Sequence, residues 1–193
     1  MKLFYSDASP YARVVRLLWR QLGVAGVEEI EVNPFEQDEA LRRINPLGKI
    51  PCLVGEEGAL YDSAVIARYL DARFGDGRYH RACEDEWALA RDNALLQGLL
   101  DAAVALRVEE TRRGEGTQSP FWCARHRQAL TQGLTQVAPG TWPVPSLLPL
   151  KLVALLEYLD FRHPDFDWRA RHPDLVTWLA RQQDAATAAT RPA

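Results

Sequence analysis

Apolar and polar positions in the first part of the chain switch between the period of a strand and the period of a helix. Residues 2–6 predict a short strand, and residues 10–22 carry an apolar stripe at helical spacing. Residues 27–32 set apolar side chains against acidic ones, a pattern typical of a second strand. The chain is therefore predicted to open with a strand–helix–strand unit.

The following segment predicts a hairpin that lies between two helices. Residues 37–44 predict a short helix that ends at Asn45-Pro46, because a residue before proline disfavours helical backbone. Residues 51–54 and 59–61 predict two strands around a Gly-Glu-Glu-Gly turn. A further helix follows and ends near residue 74. This order predicts a mixed four-stranded sheet with one parallel crossover and one antiparallel hairpin.

Strand patterns disappear after the stretch Gly75-Asp76-Gly77, and helical spacing dominates the rest of the chain. We therefore predict two domains, an α/β domain over residues 1–76 and an all-α domain over residues 82–193. Helices of the second domain are predicted over residues 84–113, 118–137 and 146–161, and from His172-Pro173 onward. The Ala- and Thr-rich tail from Ala185 is predicted to fray.

Composition adds limits on function and location. A chain of 193 residues with 47% hydrophobic and 25% charged residues is typical of a globular protein with one large or two small cores. A net charge of -3 with scattered arginines offers no electrostatic basis for binding nucleic acid or an anionic membrane. The most apolar window, residues 147–159, is too short and too interrupted to span a bilayer. Three widely spaced cysteines argue against a disulfide framework, so we expect a cytoplasmic protein.

Two features of the first domain predict a site that binds a small peptide. Pro51 opens a predicted strand and has no N–H, and a cis Ile50–Pro51 bond would turn the Ile50 backbone toward an extended peptide. Asp62-Ser63 stands where a helix begins, and exposed amides at a helix start attract carboxylates. Plain helix capping explains Asp62-Ser63 about equally well when the pair is considered alone.

Ser9 precedes Pro10 at the start of the first predicted helix, where helix capping is the simpler interpretation. The alternative is a hydroxyl that donates to a bound thiolate. An ordinary thiol has a pKa of about 8.5, and lowering it by about two units requires roughly 2.7 kcal/mol. One hydrogen bond to a charged acceptor supplies about 1.5–3 kcal/mol and a helix N-terminus about 0.3–1 kcal/mol more. These magnitudes permit Ser9 and the helix start to stabilise a bound thiolate, and no general base is required.

Three motifs in this order resemble the cytosolic glutathione S-transferase superfamily: Ser9-Pro10-Tyr11, the run from Asn45 to Pro51, and the run from Asp62 to Leu70. The similarity is densest over residues 1–75, and residues 155–162 resemble bacterial members. The resemblance implies a thioredoxin-like domain followed by an all-helical domain, and a homodimer.

The resemblance also implies how glutathione binds. By matching position, Ser9 bonds the glutathione sulfur, and the backbone of Ile50 pairs with the cysteinyl unit ahead of a cis Pro51. Asp62 and Ser63 hold the γ-glutamyl end.

Lys49 resembles a residue that reaches the glycyl carboxylate in some members, and a solvated turn residue is the competing interpretation. The four histidines and three cysteines show no ligand spacing, so no metal is expected.

The resemblance implies a glutathione transferase with glutathione as co-substrate. Ser9 would stabilise the glutathione thiolate, which attacks an electrophilic, hydrophobic small molecule. The alternatives are a glutathione-dependent dehalogenase, isomerase or peroxidase, or a non-catalytic binding protein with the same fold. Ser9 stands where glutaredoxin-like and omega-type proteins carry a cysteine, which excludes a mixed disulfide at that position. Ser146 and Pro149 occupy a position where the family has a capping box, with proline in place of the acid, so the start of that helix is in question.

Overall fold

The computed structural model describes residues 1–33, 35–36 and 39–192. Its internal contacts divide the chain into two units, Met1–Arg81 with Asp184–Ala193, and Ala82–Gln183. The expected division into residues 1–76 and 82–193 differs from these units mainly in the last ten residues, which join the first unit. The reason is that helix-forming residues near the C-terminus pack on a helix of the first unit.

The first unit contains the predicted mixed four-stranded sheet. The strands follow the order β2-β1-β3-β4, with β1 parallel to β2, β1 antiparallel to β3, and β3 antiparallel to β4. Their bounds are β1 Lys2–Tyr5, β2 Glu28–Glu31, β3 Cys52–Gly55 and β4 Gly58–Leu60. Gly58 has a positive φ of 82°, which the short turn between β3 and β4 requires.

Among the described residues before Arg81, three helices accompany the sheet: α1 Pro10–Gln21, α2 Glu39–Ile44 and α3 Ser63–Phe74. The predicted helix over residues 37–44 is confirmed from Glu39 onward, and its first two residues lie outside the described residues. Helix α1 packs against α3, and most of its residues are buried. Neighbouring elements therefore enclose most of α1.

The second unit is built from helices, and its described residues contain no strand. The α-helices from residue 81 onward are α4 Arg81–Asp85, α5 Trp87–Thr111, α6 Pro120–Leu134, α7 Leu147–Arg162, α8 Trp168–Arg171 and α9 Pro173–Ala180. Helix α10 Ala185–Ala189 follows in the segment that joins the first unit. The predicted helix over residues 84–113 is divided, because Glu86 has an extended backbone between α4 and α5. Helix α5 packs against both α6 and α7, and the first thirteen residues of α7 are almost all buried. None of the described helices is both long and apolar enough to cross a membrane.

Helix α7 begins at Leu147 although its capping box is incomplete. Ser146 has an extended backbone, but its side chain makes no cap hydrogen bond, and its buried Oγ has no partner among the described residues. Pro149 occupies the third helical position, where the amide that a capping serine accepts from is normally found. Proline at this position removes both the capping amide and the acidic side chain of the capping box. Helix α7 nevertheless begins at Leu147, because burial among the other helices stabilises it.

Candidate functional site

The strand register brings the three sequence motifs to one edge of the sheet. Phe4 near the end of β1 pairs with Cys52 at the start of the antiparallel β3. Leu60 at the end of β4 pairs with Leu53 of β3. The segments that carry Ser9, Ile50-Pro51 and Asp62-Ser63 therefore leave or enter the sheet at the same edge.

Ser9 caps helix α1 and still has a proton to donate. Its Oγ accepts a hydrogen bond from the backbone N–H of Ala12 at 3.2 Å, and its backbone is extended, as capping requires. The interaction uses a lone pair of the hydroxyl. Among the described residues there is no acceptor for the Ser9 O–H, and Ser9 is half-buried. Capping and donation to a ligand are therefore compatible at this position.

The loop between β1 and α1, which carries Ser9, is anchored by a partly buried network of charged side chains. Arg16 on α1 donates to Asp7 of that loop at 2.6 Å and to Glu29 of β2 at 2.8 Å. Burial alone would raise the pKa of Glu29, but hydrogen bonds from Arg20 and Arg16 outweigh it and hold the pKa below its usual value. The network ties α1, the loop and β2 together, and the sequence analysis assigned it no role.

Asn45 organises the loop that leads to Ile50. Its side chain is fully buried; Nδ2 donates to the carbonyl of Lys49 at 2.8 Å, and Oδ1 accepts from the N–H of Leu47 at 3.1 Å. The N–H of Gly48, which has a positive φ of 59°, donates to the Asn45 carbonyl at 2.9 Å. Sequence reasoning assigned Asn45 no site role, although asparagine followed three residues later by glycine is a turn signal.

The Ile50–Pro51 peptide bond is cis, the conformation considered from the sequence. Ile50 is half-buried, and its N–H and C=O make no hydrogen bond with the described residues. Pro51 is buried and leads directly into β3. Ile50 thus presents an open pair of backbone groups beside the end of β1.

Asp62 caps helix α3, so the capping interpretation is correct for its side chain. Its Oδ1 accepts from the N–H of Ala64 at 3.0 Å, and the carboxylate is exposed. Within the described residues, the amides of Ser63 and Val65 have no hydrogen-bond partner. The first turn of α3 therefore still offers donors to an anionic group.

Lys49 lies exposed in the loop that Asn45 holds. Its carbonyl accepts from Asn45, and among the described residues its ammonium makes no ion pair. Cys52 is buried one residue after Pro51, and burial raises the pKa of its thiol. A buried thiol with a raised pKa is a poor nucleophile, so Ser9 is the side chain with suitable chemistry at this edge.

A separate cleft of about 280 Å³ lies within the helical unit. Arg127 bridges Glu110 and Asp165 there, with both N–O distances at 2.8 Å. Arg107 and Arg113 complete the lining. This cleft contains charged side chains but no hydroxyl or thiol, so it offers no nucleophile for group transfer.

Comparisons with known proteins agree with the fold. The family profile described as "Glutathione S-transferase, N-terminal domain" matches residues 3–78. The "Uncharacterized GST-like protein YibF" of Escherichia coli (strain K12) is 29% identical over 184 residues, which cover 91% of this chain and 90% of that protein.

Solved structures of known proteins resemble the whole chain, as two examples show. A glutathione transferase family member from Pseudomonas fluorescens Pf-5, with bound glutathione, has a TM-score of 0.86 at 33% identity and covers 100% of this chain and 98% of that one. A glutathione S-transferase from Methylobacillus flagellatus KT, with glutathione bound, has a TM-score of 0.85 at 33% identity. The alignment covers 100% of this chain and 99% of that one. The predicted thioredoxin-like sheet followed by a helical region is thereby confirmed. With this similarity over its full length, the chain belongs to the glutathione S-transferase superfamily, as a bacterial-type member.

Proposed function

We propose that the protein is a glutathione transferase in which the Ser9 hydroxyl stabilises the thiolate of bound glutathione. The observation that carries this proposal is the Ser9 side chain, which accepts from Ala12 while its own proton has no acceptor among the described residues. A hydrogen bond to a charged sulfur is worth about 1.5–3 kcal/mol, which corresponds to a thiol pKa about one to two units lower.

Glutathione itself is held by its backbone and its carboxylates. The unpaired N–H and C=O of Ile50 receive the cysteinyl unit in the manner of an added strand. The free amides at the start of α3, beside Asp62 and Ser63, receive the γ-glutamyl end. Lys49 reaches the glycyl carboxylate. Support for glutathione as the ligand comes from the two relatives at 33% identity that were solved with it bound.

The reaction is attack of the thiolate on an electrophilic carbon of a hydrophobic small molecule. A sulfur–carbon bond forms, and the leaving group departs with its electron pair, or a proton from water completes an addition. Ser9 acts by holding the thiolate charge, so the mechanism needs no general base and no metal. Dehalogenation, isomerisation and peroxide reduction begin from the same thiolate and are separated by product analysis with haloalkane, isomerisable and hydroperoxide substrates.

Two copies of the chain are proposed to associate. Leu47 in the first unit and Trp87 in the second expose 62% and 89% of their surface, which is high for large apolar side chains. A second copy that covers either side chain would remove apolar surface from water. Light scattering tests the dimer, and we expect Trp87→Glu to shift the protein toward monomer. A wild-type protein that stays monomeric at micromolar concentration contradicts it.

Calorimetric titration with glutathione tests the proposed function, using wild type, Ser9→Ala and Asp62→Ala. We expect wild type to bind, and Asp62→Ala to weaken binding by about tenfold, which corresponds to 1.4 kcal/mol. Ser9→Ala should retain binding but raise the pKa of the bound thiol by about one to two units. No binding by wild type at millimolar glutathione would refute the proposal.

Ser119→Ala provides a matched control for Ser9→Ala. Ser119 also precedes a proline and caps a helix, with its Oγ accepting from the N–H of Trp122 at 3.4 Å. Both substitutions remove a Ser-Pro helix cap, but only Ser9 lies at the proposed site. If Ser119→Ala raises the bound-thiol pKa as much as Ser9→Ala does, the effect is one of helix stability and the assignment of Ser9 is wrong.

A further inference from the structure

The C-terminal segment is ordered against the first unit, and the prediction that it frays is wrong. Residues Ala185–Ala189 form α10, which Asp184 caps by accepting from the N–H of Thr187 at 2.7 Å. Thr187 and Thr190 are buried to 3% and 0% exposure. Most buried polar side chains in folded proteins have a hydrogen-bond partner.

One partner of this segment is Arg13 in the first turn and a half of α1. Arg13 is buried, and its Nε donates to Oγ1 of Thr190 at 3.4 Å while one terminal nitrogen donates to the carbonyl of Thr187 at 3.4 Å. A buried guanidinium is costly unless its donors find acceptors. The C-terminal segment supplies two of them, and α10 packs on α1.

Arg13 also contacts Ser9 through the backbone. Its N–H donates to the Ser9 carbonyl at 3.0 Å, and the preceding amide, of Ala12, donates to Ser9 Oγ. The turn that presents the Ser9 hydroxyl is therefore held at its start by the Ser9 cap and at its end by the Arg13 side chain. A substitution of Thr190 would therefore alter the position of Ser9 through the first turn of α1.

We propose that the C-terminal segment, residues 184–190, positions Ser9 for the bound thiolate by anchoring Arg13. This inference rests on the proposed role of Ser9. Arg13, Thr187 and Thr190 are positioning residues, because they act on the thiolate only through Ser9. Misplacement of a hydrogen-bond donor by about 1 Å is enough to lose much of its effect on a reacting group.

The experiment compares wild type with Thr190→Val and with a chain that ends at Gln183. Thr190→Val keeps the shape of the side chain and removes the oxygen that accepts from Arg13. Thr177→Val is the matched control, since Oγ1 of Thr177 donates to the carbonyl four residues earlier, as Oγ1 of Thr190 does, but has no contact with Arg13. Two quantities are measured: hydrogen exchange of the Ala12 and Arg13 amides, and the pKa of the bound glutathione thiol from its thiolate absorbance.

We expect exchange of the two amides to become about tenfold faster in Thr190→Val, and more in the shortened chain, as a local opening becomes easier. The bound-thiol pKa should rise by about half a unit to one unit, with the dissociation constant of glutathione changed less than threefold. Thr177→Val should leave both quantities at their wild-type values.

The failures of the two proposals are distinguishable. Unchanged exchange in both C-terminal variants refutes the anchoring of α1. Faster exchange with an unchanged thiol pKa refutes the positioning of Ser9, because a purely structural contact has that result. If wild type binds no glutathione, the proposed function is refuted, and the role of the C-terminal segment in it is refuted as well. If the shortened chain does not fold, Thr190→Val alone decides.

Discussion

The buried side chain of Asn45 donates a hydrogen bond to the backbone carbonyl of Lys49 at 2.8 Å, across the loop that ends at Ile50. The same side chain accepts from the N–H of Leu47, so both of its polar ends are used inside the loop. Because the loop sets the direction of the Ile50 backbone, Asn45 acts on the proposed peptide site without facing it.

Asn45→Ala is expected to weaken glutathione binding by about tenfold and to lower the free energy of unfolding by about 1–3 kcal/mol, because it leaves two loop groups without partners. Calorimetry and urea unfolding measure the two effects. Asn33→Ala is the control, since Asn33 makes the same kind of turn contact to Phe35 but on the exposed surface. Equal effects of the two substitutions would contradict a role for Asn45 in the site.

Glu29 is expected to contribute strongly to the stability of the first unit. Glu29→Gln should lower the free energy of unfolding by about 1–3 kcal/mol, because Arg16, which is almost fully buried, loses a charged acceptor. Glu28→Gln is the neighbouring control; Glu28 pairs with Lys2 at 3.5 Å with both side chains exposed, and such a pair contributes about 0–1 kcal/mol. Denaturant unfolding compares the two, and similar losses would refute the difference.

A complete capping box at α7 is expected to stabilise the helical unit. Pro149→Glu restores an amide for the unpartnered Oγ of Ser146 and an acidic side chain for its N–H, and a helix cap is worth about 0.5–2 kcal/mol. The thermal midpoint should rise accordingly. In the double variant Ser146→Ala with Pro149→Glu the gain should largely disappear; a gain that persists would arise from the loss of proline and not from capping.

His163 is expected to make the protein less stable in mild acid. Its ring is fully buried, with Nε2 2.9 Å from the carbonyl of Ala103. Burial lowers the pKa of His163 below its usual value, although the Ala103 carbonyl and the Glu110 carboxylate oppose this shift. The unfolded chain therefore binds a proton at a higher pH than the folded chain does.

The resulting stability is fully present above a pH of about 6.5 and is lost as the pH falls from there toward the lower pKa of the folded state, by at most about 1.4 kcal/mol per pH unit. Unfolding measured across this range should show that slope in wild type and a smaller one in His163→Gln. His126→Gln is the control, because His126 is half-exposed. An identical slope in wild type and His163→Gln would contradict the prediction.

Local signals in the sequence were sufficient for most of the fold and for the candidate residues of the site. The pattern of apolar and polar positions, with the turn signals, predicted four strands in a mixed sheet with one parallel crossover and one antiparallel hairpin, because strand periods and short turns depend on nearest neighbours. The order of the strands is a finding of the structure. Ser9, Ile50-Pro51 and Asp62-Ser63 were found in the same way, since each combines a special residue with a chain position next to a predicted strand or helix.

Only the tertiary structure decided which side chains hold the candidate site residues in place. The contact of Arg13 with Thr187 and Thr190 joins residues about 175 positions apart, a separation at which no sequence period operates. The ion pairs of Arg16 and the buried position of Asn45 likewise depend on packing between elements. The sequence alone determined the candidate site residues at the sheet edge, whereas long-range burial of polar side chains decided what holds them there.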